Sequence, residues 1–348
     1  MYRINLGRLS RKQKIATTSG YRISSTSGFI LLFVQILISL ILLNRYLPGS
    51  FLISLDWFTG NQLLRVGLIV ITLFLTLHFA SAEKWKSLVL SEITIVLFLL
   101  EFFLTTPVFR LSPNPTEIHP LRVLTINIRN SSRLLVWPAY CKDFDIDIAA
   151  FQEVDESLLD NFFQQAKSMG YNSRYIGYYP QSKSGLLIIS RGMIFENEAI
   201  NARSAYESPV RSSLYVTTEI QNVMINILTV HLEPRGTPHS IKSYARAWKM
   251  RYMQSQVLRE FIKQKQGYFL LLGDMNSTPT ERSIRPLRTE MKDTWNESGF
   301  GFGATWHQDL PMFRIDYILY KNFSGAANPE IIPVRFSDHS GYKVELAW

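Results

Sequence analysis

Cysteine is almost absent from this chain of 348 residues, which contains Cys141 and no other. A single cysteine excludes an intrachain disulfide, so a folded domain in this chain must depend on its core for stability. The sequence also has neither internal repeats nor low-complexity tracts, and it therefore gives no sign of a repeat architecture.

Charge is missing from long stretches of the first third of the chain. Residues 23–44 and 66–82 contain no Asp, Glu, Lys or Arg, and residues 88–109 contain only Glu92 and Glu101. These runs predict three transmembrane helices within residues 23–109, the third of them if a helical hairpin shelters its two glutamates. A cleaved signal peptide is the alternative for the first run, but no small-residue cleavage site follows it and the later runs would have no explanation.

Acidic residues are also absent from residues 1–27, where the basic residues are Arg3, Arg8, Arg11, Lys12, Lys14 and Arg22. Positive charge beside a membrane helix favours the cytoplasmic side, so residues 1–22 are predicted to form a basic cytoplasmic N-terminus. Three crossings then predict an integral membrane protein whose remaining domain is extracytoplasmic. Residues 110–120 are rich in proline and predict a stiff linker of at most about 35 Å, which would hold residues 121–348 close to the bilayer.

A broad excess of positive charge is lacking in the C-terminal part. The formal net charge is +9, but residues 1–109 account for +6, and residues 110–348, with 27 basic and 24 acidic residues, account for +3. The basic pI is therefore no argument for nucleic-acid binding. The predicted helix over residues 240–266 is a local exception, either a solvated face or a surface that attracts phosphates or anionic headgroups. Its single acid is Glu260, and its basic residues are Lys242, Arg246, Lys249, Arg251, Arg259, Lys263 and Lys265.

What the sequence does contain is a series of short apolar runs that each end on, or enclose, a polar residue. Such runs predict buried strands that present polar groups at strand ends, where catalytic groups often project. The runs and their polar residues are 121–127 with Asn127, 146–152 with Glu153, 225–231 with His231, 268–272 with Asp274 and Asn276, 314–319 with Asp316, and 331–336 with Asp338 and His339.

Two further runs, residues 212–220 and 223–232, follow one another closely enough to predict a β-hairpin, and residues 156–169 and 240–266 are predicted helices. Hairpins mixed with helices favour an α+β fold with packed sheets.

The order and local sequence of these motifs, above all Gly273-Asp274-Met275-Asn276 and Ser337-Asp338-His339, resemble the endonuclease/exonuclease/phosphatase superfamily, which includes deoxyribonuclease I-like and neutral sphingomyelinase-like proteins. The resemblance covers residues 120–348. It implies a four-layer αββα sandwich, in which two packed mixed sheets are flanked by helices and the active site lies across the top. Here the sandwich would follow the N-terminal transmembrane region, as in a membrane-anchored bacterial-type member. Residues 184–191 resemble the family's glycine-containing strand, where Gly185 would allow a close backbone approach.

Hydrolysis of a phosphodiester near neutral pH requires a cation, a base that activates water, and donors to the phosphoryl oxygens. The resemblance places the metal at Glu153 with Asn127 beside it, and Asp338 would add carboxylate density nearby. Oxygen ligands of this kind suit Mg²⁺ or Mn²⁺.

The other motif residues are predicted to be catalytic. Asp274 and Asn276, two apart at a strand end, would hold the attacking water and donate to the phosphate. His339 would be oriented and made more basic by Asp316, whose burial among apolar neighbours itself requires a partner.

His231 is predicted to donate to a phosphoryl oxygen or to the leaving group, and Glu207 is a candidate for the carboxylate that orients it. A lone histidine on an apolar strand also fits a core role, and Asp274 could instead cap the turn after its strand. An aromatic cluster either lines a substrate groove or packs in the core, and it consists of Tyr175, Tyr178 and Tyr179.

Together these features predict a membrane-anchored, Mg²⁺- or Mn²⁺-dependent phosphodiester hydrolase that acts by activated-water attack. Two substrate classes stay open: a lipid or other envelope phosphodiester at the outer membrane surface, and DNA or RNA cut by a membrane-tethered nuclease. The short linker and near-neutral domain charge favour the first, since binding a polyanion usually requires a broader basic surface. A catalytically degenerate binding module is a third class, disfavoured because every expected polar position is filled. The predicted partners are the lipid bilayer and the substrate, and the sequence gives no basis for a protein partner.

Overall fold

The structure is a computed structural model that describes residues 62–81, 120–179, 181–201, 211–235 and 240–348, together with a few helical residues between residues 33 and 99. In chain order the strands are β1 (Leu121–Asn127), β2 (Ile148–Asp155), β3 (Asn172–Gly177), β4 (Ser184–Ser190), β5 (Met193–Ile200), β6 (Ser213–Ile220), β7 (Val223–His231), β8 (Tyr268–Asp274), β9 (Lys292–Asp293), β10 (Asp316–Lys321), β11 (Gly325–Ile332) and β12 (Gly341–Ala347). The helices are α1 (Gln62–Ser81), α2 (Trp137–Asp143), α3 (Leu159–Ser168), α4 (Ile241–Gln264), α5 (Arg285–Glu290) and α6 (Thr294–Ser298), with short 3₁₀ turns over Ser132–Val136, Glu156–Leu158 and Arg282–Ile284.

Helix α1 overlaps the second of the three predicted membrane segments. Most of the other two segments, residues 23–44 and 88–109, and nearly all of the predicted linker lie outside the described residues. In the part of the chain that the structure describes, no helix is both long and apolar enough to cross a membrane. The transmembrane region, its orientation and the domain boundaries therefore stay predictions.

Within the described residues the strands form two mixed sheets of six strands each. The first sheet has the order β11-β12-β1-β2-β4-β3, and the second has the order β5-β6-β7-β8-β10-β9. Each sheet contains one parallel pair near its centre, β1 with β2 and β7 with β8, while the neighbouring pairs are antiparallel. Parallel neighbours need a crossover connection. Helix α2 lies in the crossover of the first sheet, and helix α4 lies in that of the second.

Three clusters of buried apolar side chains define the layers. The cluster between the sheets takes side chains from both, among them Val123 and Ile188 from the first sheet and Leu270 and Ile318 from the second. Another cluster joins the outer face of the first sheet to α2 and α3, and a third joins the outer face of the second sheet to α4 and α5. The layer order is therefore helix, sheet, sheet, helix, which agrees with the predicted α+β sandwich of two packed mixed sheets.

Side-chain alternation along the strands decides which residues reach the space between the sheets. In β1, Leu121 and Val123 belong to the cluster between the sheets, whereas Leu124 and Ile126 pack outward against the helices. The same two-residue alternation directs Asn127, the last residue of β1, toward the inward side.

The same alternation holds in the second sheet. Ile227 of β7 and Ile318 of β10 point into the cluster between the sheets. His231, Asp274 and Asp316 share the inward parity of their strands, so strand geometry directs all three side chains at the space between the sheets.

Most predicted strands are confirmed within a few residues, and the predicted hairpin is observed as β6 and β7. Its turn residues, Gln221 and Asn222, have φ of 54° and 62°, as the tight turns favoured in hairpins require. Gly185 permits the close approach that the sequence predicts, because a Cβ atom there would collide with the carbonyl oxygen of Ile176.

One predicted strand is wrong over most of its length. In the run over residues 331–336, the first two residues belong to β11, which ends at Ile332, and the chain then leaves the sheet. Pro333 follows, and proline has no N–H group to donate to a neighbouring strand. Asp316 belongs to a strand, as the sequence predicts, but it is the first residue of β10 rather than an interior one.

Candidate active site

The candidate active site lies at one edge of the sandwich, where strand ends from both sheets meet. The side-chain amide of Asn127, at the end of β1, donates to Asp274 at the end of β8, with an Nδ2···Oδ2 distance of 3.1 Å. Asp274 and Asp316 lie opposite each other in the register of β8 and β10. Asn127, Asp274 and Asp316 are all buried. Motif residues from separate parts of the sequence therefore converge on one place.

Glu153 owes its position to a β-bulge. Strict alternation would direct it outward, on the side where Phe151 packs against the helices. The register between β2 and β4 shifts between Phe151 and Val154, and Glu153 has a φ of 54° in the left-handed region. Such strained bulges turn side chains toward functional sites. The Glu153 carboxylate consequently accepts a hydrogen bond from Asn127 (Nδ2···Oε1 3.2 Å) and stays 26% exposed.

His339 precedes β12 and pairs with Asp316. Its Nδ1 atom lies 2.9 Å from Asp316 Oδ2, and its Nε2 atom lies 3.7 Å from Asp274 Oδ2. Burial alone would lower the pKa of His339, but the charges of Asp316 and Asp274 and the hydrogen bond to Asp316 raise it to about 9. The imidazole is therefore a cation at neutral pH. The structure brings together the two residues that the sequence predicts as a pair.

Asp274 uses its two oxygens differently. Oδ1 accepts a hydrogen bond from the Asn276 N–H at 2.8 Å, which caps the turn after β8. Oδ2 faces the Asn127 amide and lies 3.4 Å from His231 Nε2. Burial and the nearby charge of Asp316 raise the pKa of Asp274 above its usual value. The capping role and the functional position, which the sequence leaves as alternatives, are therefore both present.

Asn276 does not share a strand end with Asp274, contrary to the prediction. Strand β8 ends at Asp274, and Asn276 follows in a left-handed turn with a φ of 48°. Its side-chain amide donates to the carbonyl oxygen of Leu232 at 3.1 Å, so it holds the segment after β7. Gly273 has a φ of 132°, and a Cβ atom there would collide with the carbonyl oxygen of Val230, which explains the glycine of this motif.

His231 is oriented by Tyr178, a role that sequence analysis missed. The Tyr178 hydroxyl accepts from the Glu153 backbone N–H and contacts His231 Nδ1, both at 2.7 Å. Burial raises the pKa of Tyr178 well above its usual value, so the hydroxyl keeps its proton and can donate it to Nδ1. Burial, with the charges of Arg211 and His339, lowers the pKa of His231 well below its usual value. A neutral His231 then carries its proton on Nε2, which faces Asp274.

Glu207, the predicted candidate for orienting His231, lies outside the described residues. Tyr178 fulfils that geometric requirement without it. Of the aromatic cluster that the sequence suggests, Tyr178 is buried in the core between the sheets with its hydroxyl at the site.

Asp338 lies beside the site, but its carboxylate contacts differ from the predicted metal cluster. Trp306 Nε1 donates to Asp338 Oδ2 at 3.1 Å, and Arg129 Nε lies 3.9 Å from Oδ1. Burial would raise the pKa of Asp338, but the Trp306 hydrogen bond and the charges of His339 and Arg129 lower it. The negative charge of the Asp338 carboxylate is therefore already compensated by protein groups and does not require a bound cation. Its side chain helps to raise the pKa of His339.

Two hydroxyl groups that sequence analysis did not single out hold the site together. The Ser337 hydroxyl donates to the Asn127 carbonyl oxygen at 2.7 Å and accepts from the His339 N–H at 3.1 Å. Thr305 Oγ1 accepts from the Asp316 N–H at 3.2 Å. Ser337 stands within the Ser-Asp-His motif and could have been identified there, whereas nothing in the local sequence marks Thr305.

The buried carboxylates suit a divalent cation. Asp274, Asp316 and His339 form a buried cluster whose side-chain atoms lie within 4.8 Å of one another, and its two carboxylates offer oxygen ligands, whereas the cationic His339 offers none. Asp316 Oδ1 is buried with no hydrogen-bond partner among the described residues, and burial together with the nearby negative charge of Asp316 raises the pKa of Asp274. Glu153 and Asn127 add oxygen ligands beside them, of the kind that hard divalent cations prefer. The donor set present therefore fits a metal.

Comparisons with known proteins assign the fold. The Endonuclease/Exonuclease/phosphatase family model matches residues 124–339, which is more than half of the chain. No curated protein matches the chain.

Similar solved structures include a family protein from Bacteroides thetaiotaomicron, with 17% identity, a TM-score of 0.54 and coverage of 66% of this chain and 98% of that one. A family protein from Leptotrichia buccalis C-1013-b has 16% identity, a TM-score of 0.52 and coverage of 66% and 100%. Truncated TDP2 from Caenorhabditis elegans has 19% identity, a TM-score of 0.52 and coverage of 66% and 98%. These likenesses concern the fold, and the family model shows that the chain belongs to the endonuclease/exonuclease/phosphatase family.

Proposed function

We propose that this chain is a divalent-metal-dependent phosphodiester hydrolase that acts by activated-water attack. Members of its family are typically metal-dependent hydrolases of phosphoester bonds. The observation that carries the proposal is the convergence of four side chains, from the ends of β1, β7 and β8 and from the bulge in β2, beside the His339–Asp316 pair. The four are Asn127, Glu153, His231 and Asp274.

Glu153 and Asn127 are the residues that would hold the metal, with Asp274 in contact with Asn127. Mg²⁺ or Mn²⁺ is proposed because all three offer oxygen atoms. When bound, a divalent cation neutralises negative charge on the phosphoryl oxygens.

Asp274 is the best-placed base for the attacking water. Its Oδ2 atom faces His231 on one side and His339 on the other. Its raised pKa brings the carboxylate closer to the pH at which a general base is efficient.

The two histidines supply hydrogen-bond donors. His339, held as a cation by Asp316, can donate from Nε2 to a phosphoryl oxygen as negative charge develops there. The sequence predicts that Asp316 makes the His339 imidazole more basic. Because a more basic imidazole stays protonated, His339 is better suited to donate a hydrogen bond than to act as a base. Neutral His231 can donate from Nε2 to a second phosphoryl oxygen or to the leaving group.

We propose a lipid or other envelope phosphodiester as the substrate and a membrane-anchored location for the chain. The charge-free runs of residues 23–44 and 66–82 support anchoring. Helix α1 leaves Val70, Phe74 and Leu77 exposed, which is typical of a face covered by lipid or by another apolar surface. Recovery of the full-length chain entirely in the soluble fraction of lysed cells would contradict the anchoring proposal.

A nuclease is the second candidate function. It is favoured by the first half of α4, where the exposed basic residues stand at helical spacing on one face. These residues are Lys242, Arg246 and Lys249.

Metal removal is expected to abolish hydrolysis of a generic phosphodiester such as bis(p-nitrophenyl) phosphate. Without a cation the site lacks the positive charge that must offset the buried carboxylates and the phosphoryl oxygens, so the rate should fall by roughly 10³-fold or more. The measurement is the release of nitrophenol by the full-length chain before and after EDTA treatment, and again after addition of excess MgCl₂ or MnCl₂. An unchanged rate in EDTA would exclude the metal-dependent reaction.

The substrate class is tested with the same preparation in MgCl₂ on two substrates. We expect headgroup release from mixed phospholipid vesicles and little nicking of plasmid DNA at physiological salt, because residues 110–348 carry only a small net charge. Rapid nicking of the plasmid with no headgroup release would make the nuclease the function of this site.

A further inference from the structure

One buried hydroxyl group links the two sheets at the active site. Tyr178 follows directly after β3 of the first sheet, and its ring belongs to the cluster between the sheets. Its hydroxyl lies 2.7 Å from the backbone nitrogen of Glu153 in β2 and 2.7 Å from Nδ1 of His231 in β7. The name tyrosine bridge refers to these two hydrogen bonds. A residue that would hold the metal and a residue that would donate to the phosphate therefore share one oxygen atom.

The direction of both hydrogen bonds follows from the single proton of the hydroxyl. A backbone N–H can only donate, so the Tyr178 oxygen accepts from Glu153. The hydroxyl proton then points at His231 Nδ1, which is the unprotonated nitrogen of the neutral ring. The proton of His231 lies on Nε2, at 3.4 Å from Asp274 Oδ2. The tyrosine bridge thus favours the tautomer that presents a donor to the site.

The other end of the bridge holds a strained backbone. Glu153 has a φ of 54°, in the left-handed region that residues other than glycine rarely adopt. Its carbonyl oxygen accepts from the Asn130 N–H at 2.8 Å, and its own N–H donates to Tyr178. The peptide groups on both sides of the Glu153 Cα are therefore held in place. Together they direct the carboxylate toward the Asn127 amide.

Tyr178 is itself fixed by both sheets. Its backbone N–H donates to the carbonyl oxygen of Ser184, the first residue of β4, at 3.0 Å. Its carbonyl oxygen accepts from the backbone N–H and from the hydroxyl of Ser212, both at 3.0 Å, directly before β6 of the second sheet. The Arg211 guanidinium lies 4.7 Å from the centre of the ring. Because its backbone and its ring are both held, the hydroxyl has little freedom to leave the bridge.

We propose that Tyr178 is a positioning residue that sets two properties of the site at once, the affinity of Glu153 for the metal and the orientation of His231. This inference rests on the proposed function. Tyr178 acts through the two residues that it holds and needs no contact of its own with the metal or the substrate. Removal of a partner behind a metal ligand typically costs about 10- to 100-fold in metal affinity or activity.

A merely structural hydroxyl is the alternative, and the chain offers a matched one in Tyr171. This residue directly precedes β3, is buried to the same extent as Tyr178, and donates from its hydroxyl to the Ile146 carbonyl oxygen at 2.8 Å. The two tyrosines stand at opposite ends of β3, roughly 20 Å apart in extended chain. Tyr171→Phe therefore removes a buried hydroxyl from the same strand without touching the site.

Metal binding tests the Glu153 end of the bridge without catalysis. Mn²⁺ is titrated calorimetrically into the full-length chain with no substrate present. Tyr178→Phe should raise the Kd for Mn²⁺ about tenfold, whereas Tyr171→Phe should change it less than about twofold. Equal Kd values for Tyr178→Phe and Tyr171→Phe would overturn the proposal.

The ring nitrogens of His231 test the other end. In ¹⁵N NMR spectra of the full-length chain in EDTA, His231→Ala identifies the signals of this ring. Nδ1 should appear as an unprotonated, hydrogen-bonded nitrogen in the unmodified chain and in Tyr171→Phe. In Tyr178→Phe its signal should shift toward that of a nitrogen without a hydrogen-bond donor, which loss of a structural hydroxyl elsewhere would not cause. If Tyr178→Phe does not fold, a proton on Nδ1 in the unmodified chain would still overturn the proposal.

Activity separates a failure of the bridge from a failure of the proposed function. At saturating Mg²⁺ the metal site of Tyr178→Phe is filled, so kcat/KM for bis(p-nitrophenyl) phosphate should fall about tenfold through His231 alone. In the His231→Ala background the same substitution should change kcat/KM less than about twofold.

The possible outcomes differ in what they contradict. Metal-dependent hydrolysis that is equal in Tyr178→Phe and Tyr171→Phe would overturn the bridge and leave the proposed function intact. Mn²⁺ binding that depends on Tyr178, in a chain that hydrolyses no phosphodiester, would support the bridge and contradict the proposed function. An unmodified chain that binds no Mn²⁺ would contradict both.

Discussion

Replacing Glu153 with glutamine is expected to lower kcat/KM for a generic phosphodiester by roughly 10³-fold or more. The substitution keeps the size of the side chain and the hydrogen bond from Asn127 but removes the charge that would hold a divalent cation. The measurement is the kcat/KM of the full-length variant over a range of Mg²⁺ concentrations. A partial recovery at high Mg²⁺ is expected, because a weakened metal site fills at higher ion concentration.

The matched control is Asp309→Asn, which removes a carboxylate that is 79% exposed in the loop near Asp338. It should change kcat/KM less than about twofold, since an exposed charge is screened by solvent. The thermal unfolding temperature of both variants should stay close to that of the unmodified chain. Glu153→Gln with near-full activity would remove Glu153 from the metal site and with it the proposed mechanism.

The inward direction of the site residues could be predicted from the sequence because it follows from strand periodicity. In β7 and β8 the polar residues His231 and Asp274 come at the even spacing that continues the inward apolar residues. The parallel pairing of these two strands then places both side chains at the same edge. Local sequence contains all of this information, and the predicted and observed positions agree for this reason.

The bulge at Glu153 could not be predicted in the same way. Alternation alone directs Glu153 toward the helices, and only the register shift between β2 and β4 turns it inward. That shift depends on the partner strand, which no local pattern specifies. The resemblance to a known family placed Glu153 at the site, whereas its backbone conformation emerges from the structure alone.

Long-range contacts account for the other differences. Tyr178 reaches His231 across 53 positions of sequence, and a tyrosine among aromatic neighbours gives no local sign of this hydrogen bond. Asp338 lies in a motif that suggests a metal ligand, yet Trp306 and Arg129 reach its carboxylate from distant segments. Residue type and spacing therefore identify the site, but the tertiary partners decide which acids are compensated and which remain available to a cation.

A double-mutant cycle at the His339–Asp316 pair is expected to be strongly non-additive. His339→Ala should lower kcat/KM by roughly 10³-fold and Asp316→Asn by roughly 10²-fold, while the double variant should be no worse than His339→Ala. The reason is that Asp316 acts through the imidazole, which it holds at 2.9 Å and keeps charged. Additive losses in the cycle would show that Asp316 contributes separately from His339.

The pH profile of Asp316→Asn tests whether Asp316 keeps the His339 imidazole charged. In the unmodified chain the pKa of His339 is raised to about 9, so the imidazole stays cationic up to that pH and loses its proton above it. Without the carboxylate the pKa should fall toward the ordinary value of about 6.5, and the donor should be lost as the pH rises through that lower value. The activity ratio of unmodified chain to variant should therefore grow between about pH 6.5 and 9. A ratio that stays constant over this range would mean that Asp316 only positions the ring and does not keep it charged.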